Sequence, residues 1–138
     1  MRERTRVVLD TNTLVSGTLL VDSLPGKAVR KAITDDRLLM SEVSLCELAD
    51  VLSRRKFDRY VTVEDREEFV RLIYRVVDVV PIVTAVHECP DETDNRILEV
   101  AVNGEADVIV SGDRDLLQMN PFRGIPIVTP ADYVHARV

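Results

Sequence analysis

Short apolar runs punctuate the chain, and amphipathic stretches fill the intervals between them. Thr5 to Leu9 is apolar and β-branched, bounded by charge before it and by Asp10-Thr11-Asn12 after it, which predicts a buried strand. Similar runs lie at Leu38 to Met40, at Val76 to Val83 with breaks at Asp78 and Pro81, at Val108 to Val110 and at Ile125 to Val128. Between them the spacing predicts helices over Pro25 to Thr34, Glu42 to Arg55, Glu64 to Val77, Thr93 to Asn103 and Arg114 to Met119. Strands alternating with helices predict an α/β protein with a parallel sheet covered on both faces by right-handed crossovers. In such sheets ligands bind beyond the carboxyl ends of the strands, where the strand order reverses. Asp10 and Asp113 both follow predicted strands and therefore fall on that edge.

Composition narrows the class. A chain of 138 residues suits one domain with one core, and no repeat, linker or low-complexity tract divides it. With 46% hydrophobic and 30% charged residues it is ordinary globular material. No apolar stretch approaches the roughly 20 residues of a membrane span, and the charged start leads into a short apolar run rather than a signal-peptide core. The expectation is a cytoplasmic protein with no membrane partner. A net charge of −6 argues against gripping nucleic acid through bulk positive potential, although bound metal would reverse the sign locally. Cys46 and Cys89 are too few and too far apart for a disulfide framework or a paired-cysteine zinc motif, and both are expected to be reduced and mostly buried.

Four acidic positions stand out against this background. On a helical wheel Asp94 falls within the apolar arc formed by Ile97, Leu98, Val100, Ala101 and Val102. An N-terminal capping role beside Asp91 and a role in chemistry are both open for it. Glu47 points between Val43 and Val51 on a largely apolar helix, where a salt bridge to a neighbouring arginine competes with a functional role. Asp10-Thr11-Asn12 and Ser111-Gly112-Asp113-Arg114-Asp115 follow strands, and each alone reads equally as an Asx-turn or helix cap. Together they form a set of hard oxygen donors suited to Mg²⁺ or Mn²⁺. With His87 and His135 far apart, zinc is disfavoured.

The motifs Val7-Val8-Leu9-Asp10-Thr11-Asn12, Ser41 followed by Glu47-Leu48, Asp94-x-x-Ile97-Leu98-x-x-Ala101 and Ser111-Gly112-Asp113-x-Asp115-Leu116-Leu117 occur in an order and spacing that resembles a PIN domain. The resemblance runs from residue 6 to about residue 133. Pro126 to Tyr133 is similar to the closing strand and helix of the VapC-like branch, described as toxin components of toxin–antitoxin pairs. The resemblance implies a three-layer α/β/α sandwich with a five-stranded parallel sheet, and a metal-dependent ribonuclease using Mg²⁺ or Mn²⁺. Carried over by position, it implies Asp10, Glu47, Asp94 and Asp113 as the catalytic acids. Asp10, Asp94, Asp113 and Asp115 are then the metal ligands, with Asn12 and Ser111 orienting them. Relatives often carry Asp-Pro-x-Asp where this chain has Asp91-Glu92-Thr93-Asp94, so Glu92 stands in place of the proline, which leaves the role of Asp91 open while Asp94 is retained. An RNA substrate, an antitoxin partner and a homodimer are further implications, the last supported by the apolar Leu19, Leu20 and Val21.

Phosphodiester hydrolysis needs an activated water and relief of charge on the phosphate and the leaving oxygen. Asp10 and Asp113 are expected as principal ligands, with Asp94 on a metal or its water and Glu47 positioning or deprotonating the nucleophile. Arg54, Arg55, Lys56 and Arg59, interleaved with Phe57 and Tyr60, are candidates for backbone phosphates and unpaired bases, against a solvated helix end. Two other readings stay open. One is a catalytically idle nucleic-acid- or protein-binding module. The other is a metal-dependent phosphohydrolase of small phosphate esters, which is disfavoured because no Asp-x-Asp-x-Thr motif or Gly-rich phosphate loop is present.

Overall fold

A computed structural model describes residues 4–136. Five parallel strands, β1 (Arg6–Leu9), β2 (Arg37–Met40), β3 (Asp78–Val79), β4 (Val108–Val110) and β5 (Ile127–Val128), form one sheet in the order β3-β2-β1-β4-β5. The helices are α1 (Thr11–Leu19), α2 (Leu24–Thr34), α3 (Glu42–Leu52), α4 (Val63–Val76), α5 (Glu92–Asn103), α6 (Arg114–Leu117) and α7 (Pro130–His135), with a 3₁₀ turn at Arg55–Phe57.

The pleat explains why the strands are apolar throughout. Val7, Leu9, Leu38, Met40 and Val110 face one core, packed against Leu14, Ala28, Leu48, Ile73 and Tyr133 of α1, α2, α3, α4 and α7. Val8, Leu39, Ile109 and Ile127 face the other, packed against Ile97, Leu98 and Ala101 of α5 and Leu116 of α6. Alternate residues serve opposite faces, so a strand covered on both sides cannot carry a polar face. The result is the three-layer α/β/α sandwich. Registry runs through Val7↔Leu38 on one side of β1 and Val7↔Val108 on the other. The chain builds outward from β1 to β3, then returns to the opposite side of β1 for β4 and β5. The switch point thus lies between β1 and β4, at the strand ends that lead into Asp10 and Asp113.

Several boundaries differ from the predicted ones. Helix α1 was not among the predicted helices, because Thr-Asn-Thr and Ser-Gly-Thr have low helix propensity. Burial of Leu14 and Val15 holds it, the Asp10 carboxylate caps it, and the Thr18 hydroxyl donates to the Leu14 carbonyl at 2.8 Å. Its Gly17 and the Gly26 of α2 lie where the two helices and the 20–21 link approach closely, and a Cβ on Gly26 would sit 2.1 Å from the Val21 carbonyl oxygen. The run Val76 to Val83 yields only Asp78–Val79 as strand; Val76 ends α4, and Val83 is 88% exposed. Helix α3 stops at Leu52, so the basic segment after it is a turn and not a helix end. Among the described residues no helix is long and apolar enough to cross a membrane.

Candidate functional site

Asp10 and Asp113 are joined by one hydroxyl. Asp10 caps α1, its Oδ1 accepting the Thr13 N–H at 2.7 Å, while its Oδ2 accepts the proton of the Ser111 hydroxyl. The same Ser111 Oγ accepts the Asp113 N–H at 2.9 Å, and Asp113 Oδ1 accepts the Asp115 N–H at 2.9 Å to cap α6. Ser111 is wholly buried and Asp10 nearly so. The capping role weighed for these aspartates is therefore real, yet it does not consume them, because each carboxylate offers about four lone-pair positions. A cap needs one.

For Asp94 the capping alternative is replaced by its neighbour. Asp91 caps α5, accepting the Thr93 N–H at 2.9 Å. Asp94 is 6% exposed on the apolar side of the helix, as the wheel predicts, with the Cys89 thiol 3.8 Å from its Oδ2. Burial pushes its carboxyl up to about 6; the charges of Asp113 and Asp91 add to this, as does a hydrogen bond with Asp113, and the Cys89 thiol opposes it. Burial, with the charge and hydrogen bond of Asp94 and the charge of Asp115, holds the Cys89 thiol above its ordinary value against an opposing backbone hydrogen bond at Asp91, so it is a poor nucleophile. Asp94, half-buried Asp113 and exposed Asp115 each bring a carboxylate oxygen within 4.8 Å of the others. Among the described residues none of the three is ion-paired. Crowded carboxylates, one of them held toward protonation, are a donor set that a hard divalent cation fits, since its charge would offset both the burial and the mutual repulsion.

Glu47 reaches this place from α3. A cleft of about 310 Å³ is lined by Asp10, Asn12, Glu47, Asp94 and Asp113 together, with Arg54 and Lys56 on the α3 side. Glu47 is half-buried, and its Oε2 lies 3.9 Å from Nε of Arg96. The salt bridge considered from the sequence thus exists, but it is long, and the Arg96 Nε makes no hydrogen bond. Val43 is exposed, so α3 is not apolar all round. Asp115 and Asn12 are exposed, Asn12 on the cleft wall.

The basic turn divides. Arg54 and Lys56 line the cleft; Arg55 and Arg59 are not among its lining residues. Phe57 is buried in the core, which removes it as a stacking platform, whereas Tyr60 is exposed with the Arg59 guanidinium 5.9 Å from its ring. Cys46 is exposed, contrary to the expectation from its apolar neighbours, because it lies on the outer side of α3; Cys89 is buried as expected. Sequence reasoning passed over Arg66, which is buried between α3 and α4. Its signal was its place on the stripe Val63, Arg66, Val70, Ile73, an apolar helical face interrupted by one charge.

A family model described as PIN domain matches residues 6–115. The chain is 29% identical over 118 residues to the uncharacterized protein MJ1680 of Methanocaldococcus jannaschii, an overlap covering 83% of this chain and 74% of that protein. Its fold is similar to that of a chain in the crystal structure of VapBC2 from Rickettsia felis bound to a DNA fragment from their promoter, with a TM-score of 0.63 over 91% of this chain and 98% of that one. At 12% identity this likeness concerns the fold alone.

Proposed function

Because the chain belongs to the PIN-domain family, we propose that it is a metal-dependent nuclease that hydrolyses RNA phosphodiester bonds. The observation that carries this reading is the convergence of Asp94, Asp113 and Asp115 at the switch point of the sheet, with the Asp94 carboxyl pushed up to about 6. In this reading Asp94, Asp113 and Asp115 would hold Mg²⁺ or Mn²⁺, with Asp10 contributing from the β1 side. When bound, such a cation acidifies water and offsets charge on the phosphate.

The remaining steps belong to the chain. Glu47, half-buried in the lining of the same cleft, orients the attacking water and accepts its proton. Ser111 and Asn12 keep the acids oriented, Ser111 through its bonds to Asp10 and Asp113. Arg54 and Lys56 meet the polyanion, so the substrate bridges an acidic and a basic wall despite the net charge of −6. Arg55 and Arg59 add positive potential outside the cleft.

The likeness to a chain of the Rickettsia felis VapBC2 structure supports a further assignment, toxin component of a toxin–antitoxin pair, with an antitoxin protein as partner. Exposed Leu20 and Val21 support a homodimer, which sedimentation at micromolar concentration tests. The activity itself is tested by incubating the purified protein with mixed RNAs in Mn²⁺, in Mg²⁺ and in chelator. Cleavage confined to the metal-containing reactions is expected; cleavage that persists in chelator, or none at all, contradicts the proposal.

A further inference from the structure

Arg66 makes more polar contacts than any tie between two helices requires. It is 3% exposed. Its Nη1 donates to the carbonyls of Leu52 at 3.0 Å and Arg54 at 2.9 Å, its Nε donates to Thr62 at 3.4 Å, and its Nη2 is paired with the Asp58 carboxylate. Burying a guanidinium is costly, and a neutral cap would close a helix end with less desolvation. The partners share one property: they bracket the turn between α3 and α4, the segment that carries Arg54 and Lys56 into the acidic cleft. Other charged contacts of those two side chains are loose. Arg54 pairs with Asp50 at 3.7 Å where both are exposed, and Lys56 lies 5.1 Å from the centre of the Phe57 ring. Burial of Phe57 anchors one side of the turn and the guanidinium fixes its backbone on the other.

We propose that Arg66 is a positioning residue for substrate binding: its fork of hydrogen bonds holds the turn so that Arg54 and Lys56 form a subsite for a backbone phosphate other than the scissile one. The inference rests on the nucleic-acid reading of the cleft. Arginine is required because the acceptors lie in different directions around one planar group; lysine keeps the charge but cannot reach them together.

The test is a binding cycle in the Asp113→Asn protein, with a fluorescein-labelled oligouridylate as probe over a series of salt concentrations in Mn²⁺. Replacing both cations, Arg54→Gln with Lys56→Gln, is expected to lower the slope of log affinity against log salt by about 0.7, the value for one single-strand phosphate contact. Arg66→Lys is expected to lower it comparably, and the triple variant to lose no more than the pair, because Arg66 acts only through those cations. Losses that multiply, or an unchanged slope in Arg66→Lys, overturn the proposal. If Arg66→Lys does not melt cooperatively, Asp58→Asn takes its place: a lowered slope that vanishes when Arg54 and Lys56 are already replaced supports the proposal, and an independent loss overturns it. Wild-type cleavage of the same oligonucleotide, measured alongside, tests the nuclease reading separately. A parent protein that does not bind the probe overturns the subsite whatever the cleavage result.

Discussion

Ser111 donates its hydroxyl proton to Asp10 across the junction of β1 and β4. Because the same oxygen accepts the Asp113 N–H, one buried hydroxyl sets the relative positions of two acids that are 103 residues apart by number, Asp10 and Asp113. Ser111→Ala leaves a carboxylate oxygen and a backbone N–H without this partner. The expected cost is about 1–2 kcal/mol of stability and at least a tenfold loss of Mn²⁺-dependent RNA cleavage, on the order of one misplaced ligand. Urea unfolding and initial cleavage rates measure the two; an unchanged rate would show that this link does not position the acids.

Asp94 gives the metal-free protein a pH dependence of defined sign. Its carboxyl titrates near 3.8 when unperturbed and at about 6 in the fold. Below about 4 both states hold the proton and nothing is lost. Between the two values only the folded chain retains it, so stability falls as pH rises, and the penalty is complete above about 6. The full span corresponds to about 3 kcal/mol, which water in the open cleft screens to about 1–2 kcal/mol. In chelator, the stability of the wild type relative to Asp94→Asn is expected to fall by that amount between pH 4 and 6.5, as read by unfolding titrations. Parallel curves for the two proteins would contradict the assignment.

Two glycines separate packing from chemistry. A Cβ on Gly26 would meet the backbone oxygens of Val21 at 2.1 Å and Leu20 at 2.7 Å, atoms that cannot swing aside as a side chain would. Gly26→Ala is expected to destabilise the protein by about 3 kcal/mol or more. At Gly112, in the loop between the acids, a Cβ meets nothing within 4 Å, and Gly112→Ala is expected to change stability by less than about 0.5 kcal/mol. Thermal melts of the pair decide, and equal effects would refute the close approach of α2 to the 20–21 link.

The legible parts of this fold are those in which local pattern and tertiary demand agree. Val7 to Leu9 and Val108 to Val110 are apolar at every position because both faces are covered, so the two strands whose ends define the site could be read directly. Asp94 was legible as a charge inside an apolar arc. Helix α1 was not, since its residues favour turns and it is the burial of Leu14 and Val15, with the Asp10 cap, that makes them helical. Phe57 looked like a stacking platform among cations, but its ring is drawn into the core, and no local pattern distinguishes the two. The division of the basic turn into Arg54 and Lys56 inside the cleft and Arg55 and Arg59 outside it depends on how α3 meets α4. Arg66, which makes that junction, acts through carbonyls that carry no side-chain signature.

If the acids at the switch point hold a catalytic cation, Asp113 is the residue whose loss separates that role from helix capping. Asp113 caps α6 with one oxygen, and asparagine caps helices about as well. Its charge also contributes to the raised pKa of Asp94. The measurement is Mn²⁺-dependent RNA cleavage by Asp113→Asn against wild type, with metal-free thermal melts confirming the fold. The expected result is a metal-free protein as stable as wild type or more so, by about 1 kcal/mol, with metal-dependent cleavage abolished. Cleavage at the wild-type rate in a folded Asp113→Asn protein would contradict it.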